Sequence, residues 1–213
     1  MDKSARAGVS PSLIGIRGGR GMWDNVFREL RPGLTSSEAD LARAEAELGF
    51  PLPQSYRNFA QSCGAGRIGG HLRIFTPVPV EAADLGSRAH LISHGVALAL
   101  DGLRDEDSDE PHRFTIEGDA DAGLMERACF FGQTERGDFL FFDVTPGFPE
   151  YDIWVLCADL ETVHFGGADL PTFLRGLQGL EILHILGDGE GPLPATFVGD
   201  DAAALEQLGA TDS

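Results

Sequence analysis

Residues 34–64 read LTSSEADLARAEAELGFPLPQSYRNFAQSCG, and the fold follows from how that stretch divides. Thr35 followed by Glu38 makes a capping box, in which hydroxyl and carboxylate each satisfy an orphan amide of a first helical turn. Leu41, Ala44, Glu45 and Leu48 continue the helix to Gly49, a residue suited to the left-handed position that ends one. Phe50-Pro51-Leu52-Pro53 cannot extend it, because proline lacks the amide hydrogen and clashes with the preceding turn. Pro53 instead suits the first turn of a second helix, along which Tyr56, Phe59, Ala60 and Cys63 lie at i, i+3, i+4 and i+7, on one apolar face. Gly64 stops it.

On the N-terminal side, Trp23, Val26, Phe27 and Leu30 have helical spacing up to Pro32-Gly33, while residues 1–21 are polar, glycine-rich and basic, a leader with little to bury. On the C-terminal side the period changes. His71–Phe75 reads as a short strand, Pro77 and Pro79 confine the next segment to a loop or edge, and Ser87–Leu100 is a helix candidate. Beyond the acidic loop Asp101–Glu110 come strand-like runs at Arg113–Glu117, Ala128–Gly132, Phe139–Val144, Ile153–Cys157 and Thr162–Phe165, with turn residues Gly137-Asp138 and Pro146-Gly147. Asp169 and Pro171 open a closing helix carrying Phe173, Leu174, Leu177, Leu180, Ile182 and Leu183. From Gly187 the chain reads as an acidic Gly/Ala/Pro-rich tail, with at most a weak helix over Ala202–Leu208. Helices, then five or six consecutive strands, then a helix describe one α+β domain over residues 22–186 with a mainly antiparallel sheet.

Composition narrows the function classes. At 42% apolar and 23% charged residues over a 213-residue chain, a collagenous, disulfide-stapled or wholly disordered protein is excluded. The longest apolar run, Ile153–Ala158, is far too short to span a bilayer, and residues 1–20 have no apolar stretch of the secretory kind, so a cytoplasmic protein is expected. Net charge is −18, unevenly placed. Residues 1–31 hold six basic and three acidic groups; the remainder holds 10 basic and 31 acidic, a balance of −21. Such a body repels nucleic-acid phosphates and speeds encounter with a basic partner. Cys63, Cys129 and Cys157 are too few and too widely spaced for a disulfide framework or a CxxC site, and read as buried free thiols.

Several motifs fail on inspection. Gly64-Ala-Gly66-Arg-Ile-Gly69 matches GxGxxG, but that pattern cradles a pyrophosphate only between a strand and a following helix, and here the order is reversed. Asp105, Asp107 and Asp109 have calcium-loop spacing, yet Glu110 stands where the turn needs glycine and Ile116 where a bidentate Glu belongs. His90 and His94 are four apart without the adjoining Glu of a zinc protease, since Leu91 follows the first. No GxSxG occurs. Neither catalysis nor a cofactor or metal is expected.

The run Leu34-Thr-Ser-Ser-Glu38, Leu41, Glu45, Leu48-Gly-Phe-Pro-Leu-Pro53, Tyr56, Phe59, Gly64 resembles the opening of the SUKH superfamily of SMI/KNR type. Phe131-Gly132, Gly137-Asp138, Ile153–Leu156 and Asp169 with Phe173-Leu174 continue the resemblance, which covers roughly residues 34–180. It implies the family's α+β fold and a binding role. Bacterial members are similar to immunity proteins that neutralise a cognate toxin, and eukaryotic ones to cell-wall regulators, so the expectation is a non-catalytic module for a basic toxin domain, with an intracellular scaffold as the alternative. The resemblance brings no functional residue with it. Asp105, Glu106, Asp107, Asp109 and Glu110 are the candidate partner contacts, on charge alone.

Overall fold

The computed structural model describes residues 20–102, 113–118, 122–187 and 191–211. In chain order these form α1 (Arg20–Trp23), β1 (Glu29–Arg31), α2 (Glu38–Leu48), α3 (Gln54–Ser62), β2 (Gly66–Ile68), β3 (Leu72–Ile74), α4 (Leu85–Gly102), β4 (Thr115–Ile116), β5 (Ala128–Thr134), β6 (Phe139–Asp143), β7 (Ile153–Leu156), β8 (Thr162–Gly167), α5 (Leu170–Leu177), α6 (Ile182–Ile185), β9 (Thr196–Gly199) and α7 (Ala202–Thr211). Short 3-10 segments sit at Glu81–Ala83 and Ala122–Arg127. The strands join in one mixed sheet ordered β1-β9-β2-β3-β5-β6-β7-β8-β4. Its middle is antiparallel throughout, whereas the outermost pairs, β1 with β9 and β4 with β8, are parallel.

The α2–α3 pair forms as the sequence dictates, with one correction at its start. The N-cap is Ser37, whose hydroxyl accepts from the Asp40 amide while the Asp40 carboxylate accepts from the Ser37 amide; Thr35 and Glu38 do not form the box. Tertiary bonds explain the shift. The Ser36 hydroxyl donates to the Pro77 carbonyl at 2.5 Å and the Ser36 amide to the Ala60 carbonyl at 2.9 Å, holding the chain extended through the expected cap. Gly49 takes φ 81° and donates to the Glu45 carbonyl, ending α2 in the left-handed conformation that glycine adopts without penalty. On α3, Tyr56, Phe59 and Ala60 are buried with Cys63, and the Tyr56 hydroxyl donates to the Phe75 carbonyl at 2.6 Å.

The central strands are buried on both faces, and their side chains alternate between two cores. Phe131, Leu140, Phe142, Ile153 and Val155 face the first core with Trp23, Leu41, Tyr56, Phe59, Phe173 and Ile185 from α1, α2, α3, α5 and α6. Phe131 and Phe142 stack at 4.0 Å in its centre. Phe130, Phe141, Trp154, Leu156 and Val163 face the second core, which is covered by Ile92 and Val96 of α4 and by Leu124. Five helices thus cover one face, and one long helix with a 3-10 segment covers the other.

Three segments differ from the sequence reading. Only Arg20–Trp23 is helical in the region ending at Leu30, because the Arg28 and Glu29 amides both donate to the Ala195 carbonyl and turn the chain into β1. The closing helix breaks near Gly179 into α5 and α6, although Asp169 caps α5 as expected, accepting from the Thr172 amide at 2.7 Å. The expected tail does not stay outside the domain: β9 inserts between β1 and β2, with Phe197 fully buried against Phe27 and Phe59, and α7 buries Leu205 beside Ala83. With β1 and β2, which pair with it on either side, β9 brings the strand count among the described residues to nine. Insertion needs glycine, since a Cβ on Gly199 would lie 1.9 Å from the Gly33 amide nitrogen. The basic leader lies outside the described residues except for its last two positions.

Candidate functional site

The candidate contacts Asp105, Glu106, Asp107, Asp109 and Glu110 lie outside the described residues. The chain enters that stretch from the end of α4 at Gly102.

Several carboxylates take structural roles. Asp84, almost fully buried, accepts from the Val78 amide at 3.0 Å and the Gly86 amide at 3.1 Å, and pairs with Arg43 at 2.8 Å. Arg57 bridges Glu38 at 3.0 Å and Glu45, tying α3 to α2. Arg73 holds Asp200, which follows β9, and Arg127 holds Asp143 at 2.6 Å. Each of these pairs links two elements of the fold.

The GxGxxG glycines serve packing. Gly64 follows α3, and Gly66 opens β2, where a Cβ would lie 2.5 Å from the Val198 carbonyl oxygen of β9. His90 and His94 are exposed on α4, and His90 Nδ1 lies 2.9 Å from the Gly86 carbonyl oxygen. Among the described residues, no set of three His, Cys, Asp or Glu side chains is placed to hold a metal ion. Burial pushes the Cys63 and Cys129 thiols up to about 12, since a thiolate would be poorly solvated there, and burial with nearby Asp138 and Asp159 lifts Cys157 to about 11. None is a nucleophile at neutral pH.

A titratable cluster sits at the β4 end of the sheet. Glu117 contacts His184 of α6, lies 3.6 Å from His164 Nδ1 of β8, and accepts from the Phe165 amide at 3.0 Å. Partial burial works to raise its pKa, but the Phe165 amide and the two imidazoles prevail and hold the carboxyl below its ordinary value. The carboxylate occupies an open amide of β8 beyond the point where β4 ends, closing part of an exposed sheet edge. Phe165, Thr172, Arg175 and His184 line a shallow cleft of about 420 Å³ beside it.

The most distinctive surface lies on the other face of the sheet, along α4. Ile92 and Val96 reach the second core, but Leu91 is 53% and Leu98 60% exposed, and Gly95, Ala99 and Gly102 are exposed beside them. At 3.6 residues per turn these five positions occupy an arc of about 100° adjoining the buried one. His90, Ser93, His94 and Asp101 take the opposite side of the helix. Apolar positions thus extend beyond those the sheet buries, with Arg88 set among them. Between α4 and the β5–β6 and β7–β8 turns runs a groove of about 490 Å³, walled by Arg88, Leu91, Ile92, Gly95, Val96 and Ala99 on one side and by Gln133, Arg136, Phe139 and Leu160 on the other. Its lining is mainly apolar, with Arg88 and Arg136 as its charged residues. Reading Ser87–Leu100 only as a helix misses this site. The signal was there in the width of the apolar arc, which exceeds that of a helix half in water.

A family model described as the SMI1/KNR4 family (SUKH-1) matches residues 35–176. The chain belongs to that family. The matched segment opens just before the Ser37 cap of α2 and closes within α5, so it contains the α2–α3 pair, the central strands and α4. Strands β1 and β9 and helix α7 of this SUKH chain lie outside it, and the two strands extend the sheet on the β2 side. No curated protein matches the chain. Among the described residues, no helix is long and apolar enough to cross a membrane.

Proposed function

We propose that this SUKH protein is a non-catalytic binding module of the immunity type, which captures a cognate toxin domain in the cytoplasm and blocks its action. The observation that carries the reading is the exposed apolar stripe of α4 over its groove, on a chain of net charge −18. Apolar surface in excess of what the fold buries marks an interaction site, and the anionic body favours a basic partner over nucleic acid or an anionic membrane. Membership of a family that includes immunity proteins supports the same reading. Asp105, Glu106, Asp107, Asp109 and Glu110 follow α4 in sequence and are proposed to add long-range attraction for that partner.

The alternative of a regulatory scaffold docking through its two ends loses half its footing, since residues 196–199 are a strand of the sheet and not a free tail. The deciding experiment is co-expression with any toxin-like reading frame that adjoins this gene. Growth rescue and a recoverable complex whose association slows with added salt are expected. Failure to rescue, with no complex formed, refutes the immunity assignment.

A further inference from the structure

Three titratable side chains from three elements converge where β4 ends. Glu117 follows β4, His164 lies on β8 and His184 on α6. One carboxylate oxygen of Glu117 meets His184 Nε2; the other accepts from the Phe165 amide at 3.0 Å and lies 3.6 Å from His164 Nδ1. That Nδ1 is buried and has no hydrogen-bond partner among the described residues. At 3.6 Å the carboxylate stands beside it without being bonded to it.

The cluster supplements a short ladder. β4 is two residues long and pairs with Thr162 and Val163 of β8. The Thr115 amide donates to the Glu161 carbonyl at 2.8 Å and the Glu117 amide to the Val163 carbonyl at 2.9 Å. So little backbone pairing leaves the segment dependent on the Glu117 carboxylate, which extends the attachment to the Phe165 amide and, through His184, to α6.

Histidine is the side chain whose charge ordinarily changes between about pH 5 and 8. Glu117 stays ionised throughout that range: burial alone would raise its carboxyl, but the Phe165 amide and the two imidazoles hold it below its ordinary 4.5. The imidazoles lie 6.0 Å apart, centroid to centroid, and share this one carboxylate, so they take up protons as a coupled pair. The other charged groups on the flanking elements are Arg113 before β4, Asp159 and Glu161 between β7 and β8, Asp169 and Arg175 of α5, and Glu181 before α6. Carboxylates outnumber guanidiniums among them, so the cluster sits in a negative field.

We propose that Glu117, His164 and His184 form a pH-sensitive clasp, which fastens the β4 segment to β8 and α6 as the imidazoles gain protons and loosens above neutrality. It stands independently of the binding-module reading. At about pH 8 the carboxylate faces neutral rings, and its contact with His184 is an ordinary hydrogen bond. Near pH 5.5 it faces imidazolium, and the same contact is charge-assisted. Below 4.5, as pH falls through the folded value of Glu117, the carboxylate is lost and the segment is released.

The test is amide hydrogen exchange of the full chain by NMR, with protection corrected for the intrinsic rate at each pH. From about pH 8 to 5.5 the protection of the Glu117 and Phe165 amides should rise about two- to fivefold, a small factor because the His184 side chain is 64% exposed and screened. The β6 amides at the centre of the sheet report the fold as a whole and should not follow. Glu117→Gln keeps an oxygen for the Phe165 amide but removes the charge, so the rise should vanish. His184→Gln should shrink it, and at so exposed a side chain this variant carries the test should Glu117→Gln disturb β6.

No rise in the unmodified chain, a fall toward acid, or a full rise retained in either variant overturns the proposal. So does an equal rise at β6, since the whole anionic chain would then be gaining stability by losing charge.

Discussion

Truncating Phe197 to alanine tests whether the C-terminal segment is part of the core. Phe197 is fully buried in β9, its ring 5.6 Å from that of Phe27 and 5.3 Å from that of Phe59, the latter edge-on at 82°. Removing a buried phenylalanine ring costs about 3–5 kcal/mol through lost transfer energy and the cavity left behind. Two aromatic contacts, each worth about 0.5–1.5 kcal/mol beyond area burial, argue for the upper part of that range. For a chain of this size the change lowers the melting temperature by about 6–20 °C. The next residue is a built-in control. Val198 is 51% exposed, on the other side of the same strand, and Val198→Ala should cost below about 1 kcal/mol. Urea melts of both variants, followed by far-UV circular dichroism, give the comparison. If Phe197→Ala costs no more than Val198→Ala, β9 is not in the core and the sheet ends at β2.

Two further outcomes depend on the geometry of single groups. Ser37→Ala should cost about 1 kcal/mol, whereas Thr35→Ala should stay within about 0.5 kcal/mol, because the cap is made by Ser37 alone. The Ser37 bonds, opposed in part by burial, hold the Asp40 carboxyl below its ordinary 3.8, so their contribution is full at neutral pH and is lost as pH falls through the folded value. The gap between wild type and Ser37→Ala should therefore narrow in acid melts; a gap unchanged down to about pH 2 contradicts the assignment. For the cysteines, native protein at pH 8 should leave Cys63 and Cys129 unmodified by a disulfide reagent while denatured protein reacts at all three sites, because burial raises both thiols to about 12. Rapid native labelling at Cys129 would show that the second core is open.

Those positions also show where local and distant information part. The α2–α3 pair is written in adjacent residues. A proline pair, a glycine able to take φ 81° and an i, i+3, i+4, i+7 face act within a few turns and need no partner elsewhere to be recognised. Asp169 capping α5 and the apolar runs of β5, β6 and β7 are legible on the same grounds, as is the family, whose pattern lies in these elements.

What local pattern alone does not determine is pairing across the chain. Thr196–Gly199 has the glycine and acidic neighbours of a tail, yet between β1 and β2 its backbone finds hydrogen-bond partners on both sides and Phe197 finds a cavity. The same holds at the cap, where bonds from Ser36 to Pro77 and Ala60 move the helix start by two residues. The α4 groove has the same origin. Periodicity makes Leu91 and Leu98 apolar helix positions, but only the sheet's lateral extent, set by strands distant in sequence, decides which apolar arc is covered and which is left for another molecule.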